Sequence, residues 1–356
     1  MKVKLGDVCE KASSNIKQSD IPSNKGVYPI YGASGLLGKV NFFHQEKPYI
    51  AVIKDGAGIG RAILCPEKSS VIGTLQYLLP RDNVLPQYLY YVICHMHLEK
   101  YFTGATIPHI YFKDYKNEPF NLVSRDEQQR IINVLGLVEN IIDARKKEIV
   151  ELDNLVKSRF VEMFSNERQH YRLNEVCKII TDGTHQPPEF VSCGIPFIFV
   201  SNIVNNEISY NTEKYITQET YNSLIVRTPI EMGDIILSTV GSYGHPAVVK
   251  NNKKFLFQRH IAYLKPKHEI VDSDFLHSAL LSSNVQQQID RQVKGIAQKT
   301  LNLSAIKQLV VPIPKILEQR KFARLKNHID KSKLAVQKSL EELETLKNSL
   351  MQQYFD

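Results

Sequence analysis

Two stretches of the chain carry apolar residues every seven positions, and most of what the pattern predicts hangs on them. Leu135, Ile142, Ile149, Val156 and Met163 form the first series. Phe322, Ile329, Val336, Leu343 and Leu350 form the second, with Leu325 and Leu346 three residues on. The first stretch has no proline and one glycine, Gly136. A sevenfold apolar repeat draws a stripe along a helix that one helix cannot bury alone, so each series predicts a long helix whose natural partner is the other. The helix-pairing positions are Leu135, Ile142, Ile149, Leu152, Val156, Phe322, Ile329, Val336, Leu343 and Leu350. Ser124 before Glu127 resembles an N-terminal capping box, and Pro312 and Pro314 end any helix upstream of the second series.

Outside these stretches the pattern is shorter and mixed. Apolar clusters bounded by Gly, Pro, Asn and Asp predict strands at 49–53, 75–79, 196–200, 235–237 and 261–264. Tyr88, Leu89, Val92 and Ile93 keep helical spacing and predict a helix over 86–102, with a counterpart over 274–292.

The two halves repeat. Gly104, Lys116, Glu127-Gln128, Leu152, Leu155, Ser158 and Phe164 recur 191 residues later as Gly295, Lys307, Glu318-Gln319, Leu343, Leu346, Ser349 and Phe355. Leu5, Val8 and Cys9 recur 168 residues later as Leu173, Val176 and Cys177, whereas Tyr77 and Pro80 match Tyr263 and Pro266 at 186. Like ends with unlike middles predict two homologous modules that share a scaffold and read different things. The expected fold class is α+β: two mixed α/β domains separated by two long helices pairing as an antiparallel coiled coil. The boundaries read as 1–123 for the first domain, 124–165 for its helix, 166–314 for the second domain and 315–356 for the last helix.

Composition changes this picture little. Hydrophobic residues make up 43% and charged residues 23%, as in an ordinary globular protein. No apolar run approaches the ~18 residues of a membrane span, and the N-terminal MKVKLGDVCEK lacks a signal peptide's apolar stretch, so a cytoplasmic protein is expected. Five cysteines with no CxxC pair argue against a disulfide framework or a cysteine zinc site. The net charge of +8 tilts toward a polyanion and is spread over both halves.

The chemistry-bearing motifs mostly point away from catalysis. The run from Lys54 through Gly56, Gly58 and Gly60 to Arg61 lacks GxxxxGK[ST] and leads into another strand, so its glycines read as a hairpin turn. Gly241-Ser242-Tyr243-Gly244 reads as the same turn in the second half. Gln186-Pro187-Pro188-Glu189-Phe190 lacks the amide or acid that a methyltransferase motif needs before its prolines, and His95-x-His97 has no carboxylate cluster for a metal. No catalytic residue and no metal ligand is assigned. What remains is a supply of groups suited to base edges and phosphates. In the first module these are Ser34, Lys54, Asp55, Arg61, Thr74 and Gln76. In the second they are Asp182, Thr184, His185, Ser201, Asn202, Ser242, Tyr243, His245, Gln258, Arg259 and His260. Each singly is also what a turn or a surface carries; as a set, in unlike modules on like scaffolds, they favour a bipartite reader of double-stranded DNA.

These residues resemble the specificity subunit of type I restriction–modification systems over essentially the whole chain. Tyr28-Pro29-Ile30-Tyr31-Gly32, the stretch from Ile53 to Gly60 and Gly73-Thr74-Leu75 resemble one type of target-recognition domain. Thr181-Asp182-Gly183-Thr184-His185, Gly194-Ile195-Pro196-Phe197 and Gly233-Asp234-Ile235-Ile236 resemble another. Pro312-Ile313-Pro314 with Glu318-Gln319-Arg320 is similar to the family's approach to its helix, whereas the first copy has Asn121-Leu122-Val123 there. The resemblance implies a non-catalytic subunit whose two domains each read half of a split asymmetric site, with the helices setting the gap. It also implies two docked methyltransferase (modification) subunits carrying S-adenosylmethionine, and restriction/translocase subunits using ATP and Mg in the full complex. No cofactor is expected on this chain. Helix surface beyond the stripe, including Ile131, Ile132 and Ile141, is expected to be free for such docking. The alternatives are a stand-alone enzyme with an unrecognised site and a protein-only coiled-coil adaptor.

Overall fold

The computed structural model describes residues 1–21, 26–104, 108–295 and 299–356. They form two compact units, each discontinuous at a helix: residues 1–147 with 337–356, and residues 148–336. Two helices of 40 residues each, Arg125–Phe164 and Ile316–Phe355, contribute to both. Each cut between the units falls inside a long helix.

In the first unit the strands Cys9–Ser13, Leu75–Pro80, Tyr49–Ile53 and Ala62–Cys65 lie side by side in that order, all neighbours antiparallel. Tyr49–Ile53 is buried along its whole length, and alternation of side chains explains why its sequence is continuously apolar. Ile50 and Val52 enter one core while Tyr49, Ala51 and Ile53 enter another on the opposite face. A second, three-stranded sheet sets Tyr28–Gly32 between Gly35–Val40 and the parallel Ser70–Val71.

The second unit repeats this plan. Cys177–Asp182, Ile261–Pro266, Ile235–Ser238 and Pro246–Val248 take the same strand order with the same directions. The ladders start alike, Cys9 facing Pro80 and Cys177 facing Pro266, and then differ by one residue, because a bulge after Cys177 sets Thr181 rather than Ile180 opposite Tyr263. The unequal sequence offsets thus become one structural equivalence, with extra chain in the second unit forming elements such as Gln218–Leu224 and the turn Ile225–Arg227. Its small sheet again joins a parallel pair, Ile195–Ile198 with Leu256–Phe257.

The shared Glu-Gln motif has a structural cause. Buried Gln128 accepts from Leu85 N (2.8 Å) and donates to Asn83 O and Val123 O (2.9 Å each). Buried Gln319 does the same with Asp272 N (2.9 Å), Ile270 O (3.0 Å) and Pro314 O (2.7 Å). Each amide ties the first turn of a long helix to the loop before the next helix of its unit, Pro86–His95 or Ser273–Leu280. Ser124 Oγ accepts from Glu127 N (3.3 Å), but the Glu127 carboxylate pairs with Arg130 instead of closing a capping box. The strand pairs Lys2–Lys4 with Pro119–Asn121 and His170–Arg172 with Val310–Pro312 match as well, so the missing Pro-x-Pro in the first copy leaves the geometry intact.

Within each unit the long helices run antiparallel. Glu139 meets Lys347 at 2.7 Å in the first unit and Asp153 meets Lys333 at 2.6 Å in the second. Ile131, Leu135, Val138, Ile142, Phe322, Ile329 and Val336 are buried, while Ile149, Leu152, Val156, Leu343 and Leu350 are half-buried. Ile131 belongs to the core rather than to a free surface, and Ile132 packs partly against it; Ile141 is exposed. Met163 is exposed because Phe160 and Phe164 fill the inward positions, and Leu325 and Leu346 are exposed too. Heptads alternate steps of three and four, and here the inward positions lie four residues on, at Lys326, Lys333, Leu340 and Lys347. Phe355 packs edge-on to Tyr88 (5.5 Å) and Phe164 to Phe275 (5.0 Å), equivalent places in the two units.

Two helix expectations shorten. The helix over 86–102 ends at His95, since His97 is left-handed (φ 52°) before a 3-10 turn. That over 274–292 divides into Ser273–Leu280 and Ser283–Gln292, because Ser282 caps the second by accepting from Val285 N. The strand at 196–200 is found as Ile195–Ile198.

Candidate nucleic-acid interface

In the first unit the glycine-rich run is a hairpin turn joining Tyr49–Ile53 to Ala62–Cys65. Gly56, Gly58 and Gly60 all have φ near +83°, and Gly60 N donates to Ile53 O at 2.9 Å. The left-handed backbone explains the glycines without any phosphate. The turn is held on three sides. Thr74 O accepts from Lys54 N and Asp55 N (3.0 and 3.3 Å), Pro108 O accepts from Gly56 N (3.0 Å), and Arg61 donates to Ala33 O and Gly58 O (3.3 Å each). Ser34, Lys54, Asp55, Arg61 and Thr74 are thereby brought to one end of the sheet. Gln76 is not: it is 1% exposed, and its Nε2 has no partner among the described residues.

Asp55 is the polar centre of this end. Its carboxylate accepts from Lys54 Nζ and from His109 Nδ1, the latter at 2.7 Å. Burial alone would raise its pKa, but the hydrogen bonds and charge of Lys54 and His109 outweigh it and hold the carboxyl below its ordinary value. His109 was not among the sequence candidates; it stands 54 residues away from Asp55, with no local spacing to reveal it.

The second unit builds its end from other positions. Gly183 sits so close to the neighbouring strand that a Cβ would fall 2.3 Å from Phe257 O, which is why Thr181-Asp182-Gly183-Thr184-His185 needs glycine at its centre. Thr184 N donates to Phe257 O (2.9 Å) and Arg259 N to Thr184 O (3.0 Å), which sets Asp182, Thr184, His185, Gln258, Arg259 and His260 together. Arg259 lies beside His260, and burial, then that charge, holds the imidazole pKa low. Asp182 accepts from Arg227 and from His185 Nε2 (3.0 Å). Arg227, another residue missed, comes from the turn that only this unit has.

Gly241 and Gly244 (φ 72° and 79°) form the turn equivalent to the first unit's. It carries Ser242, Tyr243 and His245; Tyr243 OH donates to Asp290 (3.0 Å), and His245 Nδ1 lies 3.2 Å from Asn206 Oδ1. Ser201 is exposed on a 3-10 turn. Asn202 is buried, its amide engaged with Phe199 N and Asn211 O, so it supports that turn from within. His95 pairs with Asp356 at 2.7 Å, and no group of three or more potential metal ligands exists among the described residues. All five cysteines are free.

The family model for the type I restriction modification DNA specificity domain matches twice, over residues 1–154 and 166–345. The EcoBI specificity subunit of Escherichia coli is 31% identical over 142 residues, covering 40% of this chain and 30% of that subunit's length. The MjaVIII specificity subunit of Methanocaldococcus jannaschii is 22% identical over 329 residues, covering 85% of this chain and 77% of the relative. Among solved structures, the type I S subunit of M. genitalium superposes with a TM-score of 0.62 at 17% identity, covering 100% of this chain and 96% of that one. Another, from work on complex assembly and conformational transition of the type I R-M system, gives 0.60 at 16%, covering 99% and 97%. With two matched domains, like sheets with unlike loop ends, and paired long helices, this chain belongs to the type I restriction–modification DNA specificity family, as a specificity subunit with two target-recognition domains.

Proposed function

We propose that each unit reads one half of a bipartite asymmetric site in double-stranded DNA and that the paired helices set the gap between the halves. The observation that carries this is the combination of identical strand order with different side chains at the same sheet end. A scaffold held constant while its loop residues change is what two readers of different sequences require. The exposed apolar residues Leu137, Ile141, Val150, Leu317 and Leu334 on the long helices suit the docking of two methyltransferase subunits. Those partners would bind S-adenosylmethionine, and restriction/translocase subunits would bring ATP and Mg; this chain would contribute recognition and no catalysis. No described helix is long and apolar enough to cross a membrane, and we place the protein in the cytoplasm with its DNA. The relatives, named as specificity subunits, favour neither a stand-alone enzyme nor a protein-only adaptor.

The test is a genome-wide map of methylated bases in cells with and without the gene. The expected result is one split motif that disappears with the gene. Exchanging residues 1–123 for a foreign domain of the same type should change one half of the motif; both halves changing together would overturn the two-reader model.

A further inference from the structure

The two units share a device that the repeat does not explain. Asp55 is clamped between Lys54 and His109 (2.7 Å), and Asp182 between Arg227 and His185 (3.0 Å). The positions are not equivalent. Asp55 lies in the glycine turn that follows the second strand in sequence, whereas Asp182 ends the first strand and its Arg227 comes from chain that the first unit lacks. An aspartate holding one cation and one histidine has therefore arisen separately at each reading end.

Asp55 and Lys54 are 24% and 26% exposed and Asp182 16%, while the histidines and Arg227 lie further out at 36%, 52% and 51%. A carboxylate only accepts, so the ring nitrogen facing it carries hydrogen, and in the neutral ring the other nitrogen is left to accept. For His109 the outward acceptor is Nε2, for His185 it is Nδ1. The 3.2 Å approach of Arg227 Nη2 to His185 Nε2 then reflects two donors converging on one carboxylate. Each cation keeps unused donors, two on Lys54 and four on Arg227 beyond the one each gives to aspartate. With its ring neutral, every head offers a donor beside an acceptor. The complement is a major-groove edge with an acceptor beside an amino donor, as on adenine (N7 and N6) or a G·C pair (O6 and N4).

We propose that Lys54 with His109, and Arg227 with His185, are the base-reading heads of the two units, each directed at the major-groove edge of one base pair, and that Asp55 and Asp182 are positioning residues that aim them. This rests on the split-site reading above and adds His109 and Arg227 as determinants of specificity.

The test uses the complex of the full chain with its methyltransferase subunits. Methylation rates are measured on duplexes carrying the mapped motif and on every single-base-pair variant of it. The variants are His109→Ala, Arg227→Lys, Asp55→Asn and Asp182→Asn, with thermal midpoints recorded alongside. Arg227→Lys keeps the charge and loses the fork. Discrimination at one position of one half-site should fall roughly 10- to 100-fold, with the other half-site unchanged. His109→Ala should do so in the opposite half. Each aspartate variant should relax the same position as its head, an effect a purely structural ion pair would not produce. Rates that fall alike on all duplexes, leaving the preference profile intact, would overturn the proposal. A wild-type complex that methylates no split motif would instead remove the function reading on which it stands.

Discussion

Gln128 and Gln319 show how much one side chain can decide. Each satisfies three backbone groups where a helix starts against a loop, and neither has solvent to fall back on. Gln319→Ala would leave Asp272 N, Ile270 O and Pro314 O without their partner. A loss of about 2–4 kcal/mol is expected from urea unfolding, and a loss below ~0.5 kcal/mol would mean that water replaces the amide. A second residue sets a pH limit. His277 is buried against Asn206 O (3.2 Å), near Lys326, Asp274 and Lys250, and burial first, then the Lys326 charge, pushes its pKa from 6.5 down to about 4. The unfolded chain takes up the proton below 6.5 and the folded unit refuses it until about 4. Stability is therefore lost as pH falls through that window, by up to about 3 kcal/mol, and is unaffected above it. His277→Gln should flatten the thermal midpoint between pH 7 and 4.5; an unchanged slope would assign the effect elsewhere. At this scale the sequence was legible in kind and blind in place. The Glu-Gln repeat was visible but not its task. His109 and Arg227 were invisible because their aspartates lie 54 and 45 residues away. Gln76 and Asn202 looked like surface groups, yet one lies in a strand between two cores and the other is locked beneath a turn.

At the scale of elements, the seven-residue spacing foretold two long helices and their pairing, since a stripe that wide has nowhere else to go. It did not foretell the lysines. Leu135, Ile142 and Val156 in the first helix correspond, 191 residues on, to Lys326, Lys333 and Lys347 in the second. Their stems pack inward while Lys333 and Lys347 find acids on the other helix. Two second helices would place lysine against lysine, so the seam favours unlike partners. If the helices are the ruler of the split site, four residues inserted near Arg145 should lengthen one by roughly 6 Å, or one to two base pairs. The mapped motif should keep both halves and gain one or two unspecified positions. Some stability should be lost and then recovered by a matching insertion near Val336. Inserting two residues would turn the stripe by about 200° and abolish assembly. An unchanged gap after the four-residue insertion would end the ruler idea.

For the whole molecule, the repeat revealed two modules but not how each is completed. The antiparallel pairing expected of the two stripes already places residues 337–356 beside the start of the first long helix, and they complete the unit of residues 1–147. That discontinuity has a consequence in time. The first unit needs Met351 and Phe355 in its core, and these are synthesised only after all of 148–336. At about 5–20 residues per second, the wait is roughly 10–40 s. Throughout it Tyr88 lacks one of its two ring partners, Phe355, and the inward faces of Ile131 and Leu135 lack their cover. The second unit has every one of its residues by position 336. The module encoded first is therefore the one that matures last. A ribosome-held chain arrested once residue 336 has emerged should resist protease across 166–314 while still being cut within 1–123, and release of the remaining residues should close the first unit.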